Sequence, residues 1–127
     1  MELPVIALTM GDAAGVGPEL IVKVLLQDDT YRQCRPLVIA DTGVMQRACR
    51  LLGVERPVRV IRTPDEAAFT ADGIDVLCPP DLDVGVVELG RMEPRLGEAA
   101  ARCMRLAFRL AGALRYTSSL AAGSRVE

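Results

Sequence analysis

Apolar and polar positions along this chain follow two periods in turn. Short runs that are apolar on both faces alternate with stretches carrying an apolar residue every three or four positions, which is the pattern of an α/β layer architecture. Residues 4–9, PVIALT, read as a buried strand. A glycine-rich turn follows over residues 11–17 and opens a helix. Pro18 suits the first helical position, where its missing N–H costs nothing, and Glu19 suits the positive end of the helix dipole. Leu20, Ile21, Val24 and Leu25 share one face of that helix, which is expected to stop near Asp28 and Asp29. Residues 36–40 form the second strand. Asp41 then caps a helix whose apolar stripe is Val44, Met45, Ala48, Leu51 and Leu52, and Gly53 ends it. Residues 58–61 and 74–78 are the third and fourth strands, with residues 62–72 as a loop or single helical turn. Residues 82–89 read as an irregular edge segment. The last helix begins at Glu93 and Pro94, with Leu96, Ala100, Cys103, Met104, Ala107, Leu110 and Ala111 in one stripe. Its arginines, Arg95, Arg102, Arg105 and Arg109, lie mostly off that stripe, on a face read as solvated. Periodicity fades after Gly112, so residues 113–127 are expected to be a disordered tail.

The chain has 127 residues, enough for one domain or one lobe of a larger one. A mean hydropathy of +0.26 and 25% charged residues set it apart from disordered chains. No apolar run approaches the ~20 residues of a membrane span. Met1-Glu2-Leu3-Pro4 has no basic region of the kind that opens a secretory signal. A net charge of −2 without a basic stripe argues against a nucleic-acid partner. The absence of histidine changes the picture most, because it removes histidine triads, histidine metal sites and the usual neutral-pH proton shuttle. Cys34, Cys49, Cys78 and Cys103 form no C-x-x-C pair and read as small hydrophobes in a reducing cytoplasm. Asp72, Asp75, Asp81 and Asp83 do not combine into a two-carboxylate site. No catalytic residue and no metal ligand is assigned.

The chemistry concentrates in Thr9-Met10-Gly11-Asp12-Ala13-Ala14-Gly15-Val16-Gly17-Pro18-Glu19. Its glycines run G-x-x-x-G-x-G. That is neither the dinucleotide fingerprint G-x-G-x-x-G nor the P-loop, which needs a lysine after the last glycine. Free N–H groups at the start of the following helix can receive an anion. Two readings stand side by side: a tight turn without a ligand, and a cofactor cradle built from Gly11, Asp12, Gly15 and Gly17. Asp12 either closes an Asx-turn or orients a ribose hydroxyl or a substrate ammonium. Asp41 is either the helix cap or the acidic residue that holds a nucleotide ribose.

The stretch VIALTMGDAAGVGPE, residues 5–19, resembles the opening of the PdxA family, the 4-hydroxythreonine-4-phosphate dehydrogenases. The family usually writes the turn G-D-P-A-G-I-G-P-E, so Ala13 replaces a proline and Val16 an isoleucine. RPLVIAD at 35–41, GIDVL at 73–77 and the Gly90…Gly97 spacing are also similar, most closely to the branch acting on 4-phospho-threonate or 4-phospho-erythronate. The resemblance runs over residues 4–112. A related turn, G-D-G-I-G-P-E, opens the isocitrate and isopropylmalate dehydrogenases, which share the overall fold.

The resemblance implies a three-layer α/β fold of the isocitrate/isopropylmalate-dehydrogenase kind, of which residues 1–112 are the N-terminal part. It implies NAD-dependent oxidation of a secondary alcohol on a phosphorylated hydroxy acid, with decarboxylation, in pyridoxal phosphate biosynthesis. A divalent metal (Zn, Mg or Co), a cytoplasmic homodimer and a phosphorylated small-molecule substrate come with it, and neither nucleic acid nor membrane does. The family holds its metal with three histidines and carries G-H-T-E and T-x-P-x-N-K segments. None of these is present here, and residues 114–119 read LRYTSS where the last should begin. The expectation is an N-terminal fragment, inactive by itself, whose end has diverged through a frameshift or early stop. Two other functions remain open from the residues: a stand-alone phosphate- or nucleotide-binding module, and a non-catalytic fragment that pairs its sheet edge with a full-length homologue.

Overall fold

Four short apolar runs become neighbouring parallel strands, an arrangement that buries both faces of a sheet between helices. They are β1 (Val5–Thr9), β2 (Arg35–Ile39), β3 (Val58–Ile61) and β4 (Ile74–Leu77). With β5 (Thr117–Leu120) and β6 (Ser124–Val126) they form a six-stranded sheet in the order β3-β4-β2-β1-β5-β6. All pairings are parallel except that of β5 with β6. The helices are α1 (Gly17–Leu25), α2 (Asp28–Gln33), α3 (Thr42–Leu51) and α4 (Pro94–Leu114). This computed structural model describes residues 3–114, 117–120 and 124–126, with side chains through residue 112.

The chain steps outward from β1 to β2 to β3, turns back to β4, and crosses to β5. Parallel crossovers are right-handed, so this reversal sends α4 to the face opposite α1 and α3 and creates three layers. The expected α/β architecture is therefore present. β4 is buried throughout and β2 everywhere but Arg35, whereas the edge strand β3 leaves Val60 exposed. Alanines at 7, 40, 48, 99 and 107 are buried, so the helices can lie close to the sheet. Close approach with aliphatic filling gives a core to a chain with two Phe and no Trp.

Several expectations need correction. α1 buries Pro18, Ile21, Val22 and Leu25, while Leu20 and Val24 face outward. The buried proline at the helix start fixes the inward face one position away from the predicted stripe. The chain then forms a second short helix, α2, where only a stop was expected; Asp28 and Asp29 favour its positive end. On α4 the buried line is Leu96, Ala99, Cys103 and Ala107, and Met104 is partly exposed. The segment read as a tail contains β5 and β6; β5 continues the parallel ladder on the free side of β1, which satisfies backbone groups that an open edge leaves unpaired.

Asp75 sits on β4 opposite Arg59 of β3 and is buried. It accepts hydrogen bonds from Arg59 Nε at 2.8 Å and from the Ala68 and Phe69 amides at 3.3 and 2.9 Å. Arg59 also meets Asp72 at 2.9 Å and donates to the Thr70 carbonyl. The loop between β3 and β4, with its 3-10 turn Pro64–Glu66, is thus folded around one buried ion pair. A side chain at Gly73 would stand 2.4 Å from Arg59 Nη1, so glycine keeps that space open.

The four thiols are free, with Cys49 and Cys103 buried and Cys34 and Cys78 half-buried. Burial pushes the Cys103 thiol up to about 12 from an ordinary 9.0. The folded state therefore keeps a proton that the unfolded chain releases. The associated stability is complete below pH about 9 and is lost as pH rises toward 12. Urea unfolding is expected to show stability falling with pH above 9, and Cys103→Ala is expected to flatten that fall.

Candidate functional site

β1 delivers the chain to the carboxyl edge of the parallel sheet, the edge where open α/β sheets hold their ligands. Gly11 takes φ +67°, a left-handed conformation that glycine adopts without steric cost. A Cβ on Gly17 would lie 2.3 Å from the Met10 carbonyl oxygen, because α1 starts directly against the strand exit. At Gly15 the same construction meets the Asp12 carbonyl at 3.4 Å, an ordinary contact. Asp12 Oδ1 accepts the Ala14 amide at 2.9 Å, and the Gly15 amide donates to the Asp12 carbonyl at 2.9 Å. The Asx-turn reading of Asp12 is therefore realised, and the residue is exposed. Val16, at the cap position, supplies no side-chain hydrogen bond to the first amides of α1.

Asp41, just past β2, is buried and caps α3 as expected, its Oδ1 accepting the Val44 amide at 2.9 Å. Its Oδ2 accepts the Val84 amide at 3.1 Å, a second role that the sequence did not announce. Both oxygens serve the backbone, which favours the structural reading over a ribose contact. Asp41→Ala would leave two buried amides without partners and is expected to cost about 2–3 kcal/mol. Equilibrium urea unfolding would measure this, and a loss below about 0.5 kcal/mol would contradict the double role.

Residues 82–92 cross the same edge as a pinned strap, not as an edge of the sheet. Arg47 of α3 donates through Nη2 to the Ala13 carbonyl at 2.8 Å and through Nη1 to the Val87 carbonyl at 3.2 Å. The Gly90 amide donates to the Ala14 carbonyl at 2.9 Å. From α4, Arg95 donates to the Val84 carbonyl and, at 2.8 Å, to the Val86 carbonyl, while Arg102 donates to the Pro80 carbonyl. The arginine face of α4 is thus partly engaged in holding the strap; Arg105 pairs with Glu98. The sequence reading missed Arg47. Its signal was a charge placed among Val44, Ala48 and Leu51, inside the apolar stripe of α3.

Two clefts flank this strap. One, of about 510 Å³, is lined by Asp12, Glu93 and the apolar groups of Met92, Pro94, Leu96, Gly97 and Ala100. The other, of about 530 Å³, lies between the loops that follow β2 and β4 and includes Thr42, Arg47, Arg50, Cys78 and Asp83. β2 and β4 are adjacent strands whose connections leave to opposite faces, which makes this second cleft a topological switch point. Of the four residues assigned to a cofactor, Asp12 lines the first cleft, and Gly11, Gly15 and Gly17 shape the turn behind it. Among the described residues no group of three or more His, Cys, Asp or Glu is placed to hold a metal ion. No helix among them is long and apolar enough to cross a membrane.

No family model matches the chain. A D-threonate 4-phosphate dehydrogenase of Cupriavidus necator is 43% identical over 104 residues, which cover 79% of this chain and 30% of that protein. This chain is homologous to the PdxA-type dehydrogenases. The solved 4-hydroxythreonine-4-phosphate dehydrogenase of Burkholderia phymatum superposes on it with a TM-score of 0.83 at 36% identity, over 94% of this chain and 37% of that one. The enzyme of the same name from Klebsiella pneumoniae gives 0.79 at 31% identity, over 91% and 36%. The chain spans about 30% of the length of the curated relative from C. necator. The PdxA-type fold expected from the Gly11–Gly17 region is therefore present over the matched part.

Proposed function

We propose that this chain is part of a cytoplasmic, homodimeric dehydrogenase that oxidises a secondary alcohol of a phosphorylated hydroxy acid with NAD, a step followed by decarboxylation. The observation that carries the reading is the turn after β1, which exposes Asp12 beside an apolar cleft at the carboxyl edge of the sheet. The 43% identity to a protein named for D-threonate 4-phosphate supports an acid of that class as substrate. The four free thiols are in keeping with a reducing compartment.

In this reading the turn residues Gly11, Asp12, Gly15 and Gly17 present the chain to the cofactor. An apolar cleft of about 510 Å³ falls in the size range of small-ligand sites. Bound NAD would supply the hydride acceptor. The chain's own contribution is orientation: a rigid turn, a carboxylate at the cleft mouth, and an apolar wall that excludes water. The divalent metal of the family does not fit this chain, which has no histidine and no suitable donor cluster among its described residues, so its ligands belong to the remainder of the enzyme. The isolated chain is accordingly inactive.

Grafting residues 1–112 in place of the matching portion of the C. necator relative tests the proposal. The chimera is expected to form NADH from D-threonate 4-phosphate, and the 127-residue chain alone is expected to form none. A folded, NAD-binding chimera without activity would overturn the assignment, and turnover by the chain alone would overturn its dependence on the missing part.

A further inference from the structure

Arg47 does not line the Asp12 cleft, yet it joins α3 to both the turn and the strap beside that cleft. Its stem rises from α3, one terminal nitrogen holds the turn at Ala13, and the other holds the strap at Val87. The two carbonyls lie far apart in sequence, and no carboxylate lies within ion-pair distance of the guanidinium among the described residues. Its Nε is buried and has no hydrogen-bond partner there. A charge placed on two neutral carbonyls with one donor unsatisfied is an expensive way to fill space, since a buried unpaired donor carries its full desolvation penalty. An apolar side chain would fill the same volume without that penalty. What only a guanidinium does is span two acceptors at once with a rigid fork; a lysine ammonium is a single point on a flexible stem.

From this geometry we infer that Arg47 is a positioning residue that fixes the separation of the glycine turn from the strap, and so sets the affinity of the Asp12 cleft for its ligand. The inference rests on the cofactor reading given above. Met92, at the end of the strap, forms one side of the cleft together with Glu93 and the first turns of α4, and Asp12, two residues after Met10 in the turn, forms the other. Among the described residues the turn and the strap are joined by the Arg47 bridge and by the Gly90–Ala14 hydrogen bond next to it. Losing the bridge leaves one backbone bond between the turn and the strap, with Asp41 and Arg95 still holding the strap at Val84 and Val86. The strap should then open locally while the sheet beneath, to which Arg47 donates no hydrogen bond, stays intact.

Arg47→Lys and Arg47→Gln in the full 127-residue chain separate these roles, read by amide hydrogen exchange and by titration with NAD. In both variants the Gly90 amide is expected to exchange at least tenfold faster. The amides of Ala7 and Leu37 in the sheet should be unchanged, which excludes general unfolding. NAD affinity is expected to fall at least fivefold, with Arg47→Lys no better than Arg47→Gln because the fork, not the charge, is required. Unchanged exchange at Gly90 would overturn the clamp. Faster exchange with unchanged NAD affinity would overturn the positioning role and leave the cofactor reading standing. A wild-type chain that binds no NAD at millimolar concentration would overturn the cofactor reading, and the affinity claim would fall with it.

Discussion

Gly17→Ala is expected to destabilise the chain by at least about 3 kcal/mol, a loss at the upper end of overpacking effects. The added methyl would stand 2.3 Å from the Met10 carbonyl oxygen, and the obstacle is backbone, not the movable end of a side chain. Relief would require α1 to shift away from the exit of β1 and would disturb Pro18 and Ile21, which are buried beneath it. Gly15→Ala is the matched comparison. Its methyl meets the Asp12 carbonyl at an ordinary 3.4 Å, and the effect should lie within about 0.5 kcal/mol. Urea unfolding of the two variants measures the difference, and equal stability would contradict the close approach. The comparison also bears on function. Because the chain's own backbone explains Gly17, loss of ligand binding in Gly17→Ala says little about a cofactor, and Asp12 is the better residue for that question.

Asp75→Ala should be comparably severe, at about 3 kcal/mol, because it unties the Ala68 and Phe69 amides together and leaves Arg59 with only the exposed Asp72 as counter-charge. The bridge itself need not be a net gain. Removing both charges in Asp75→Leu with Arg59→Met is expected to recover only part of the loss, because the Ala68 and Phe69 amides stay without their acceptor. A double-mutant cycle built on urea unfolding would show a large coupling energy between the two positions. Additive losses would contradict the pairing.

The elements that the sequence announced are those whose signal is local. Pro18 after a glycine turn, Asp41 three residues before an amide it can cap, and runs such as PLVIA and IDVL each state their structure within a few residues. What the sequence left hidden depends on neighbours distant in the chain. Leu20 and Val24 look as apolar as Ile21 and Leu25, and only the angle at which α1 meets the sheet turns them outward. Residues 82–92 lack periodicity because they are held mainly by Asp41, Arg47, Arg95 and Ala14. Asp75 looked like one more unassigned carboxylate, because Arg59 lies sixteen residues before it and meets it only through strand register. The candidate site divides the same way. The turn residues were visible as a motif, whereas the strap that completes the cleft was not.

A map of amide resonances in the intact chain during titration with NAD tests most directly whether the turn after β1 meets the cofactor. The prediction is saturable shifts at Gly11, Asp12, Gly15 and Gly17 together with Met92 and Gly97 across the cleft, weakened by Asp12→Ala. Shifts confined to other surfaces, or no saturable change at millimolar NAD, would contradict it.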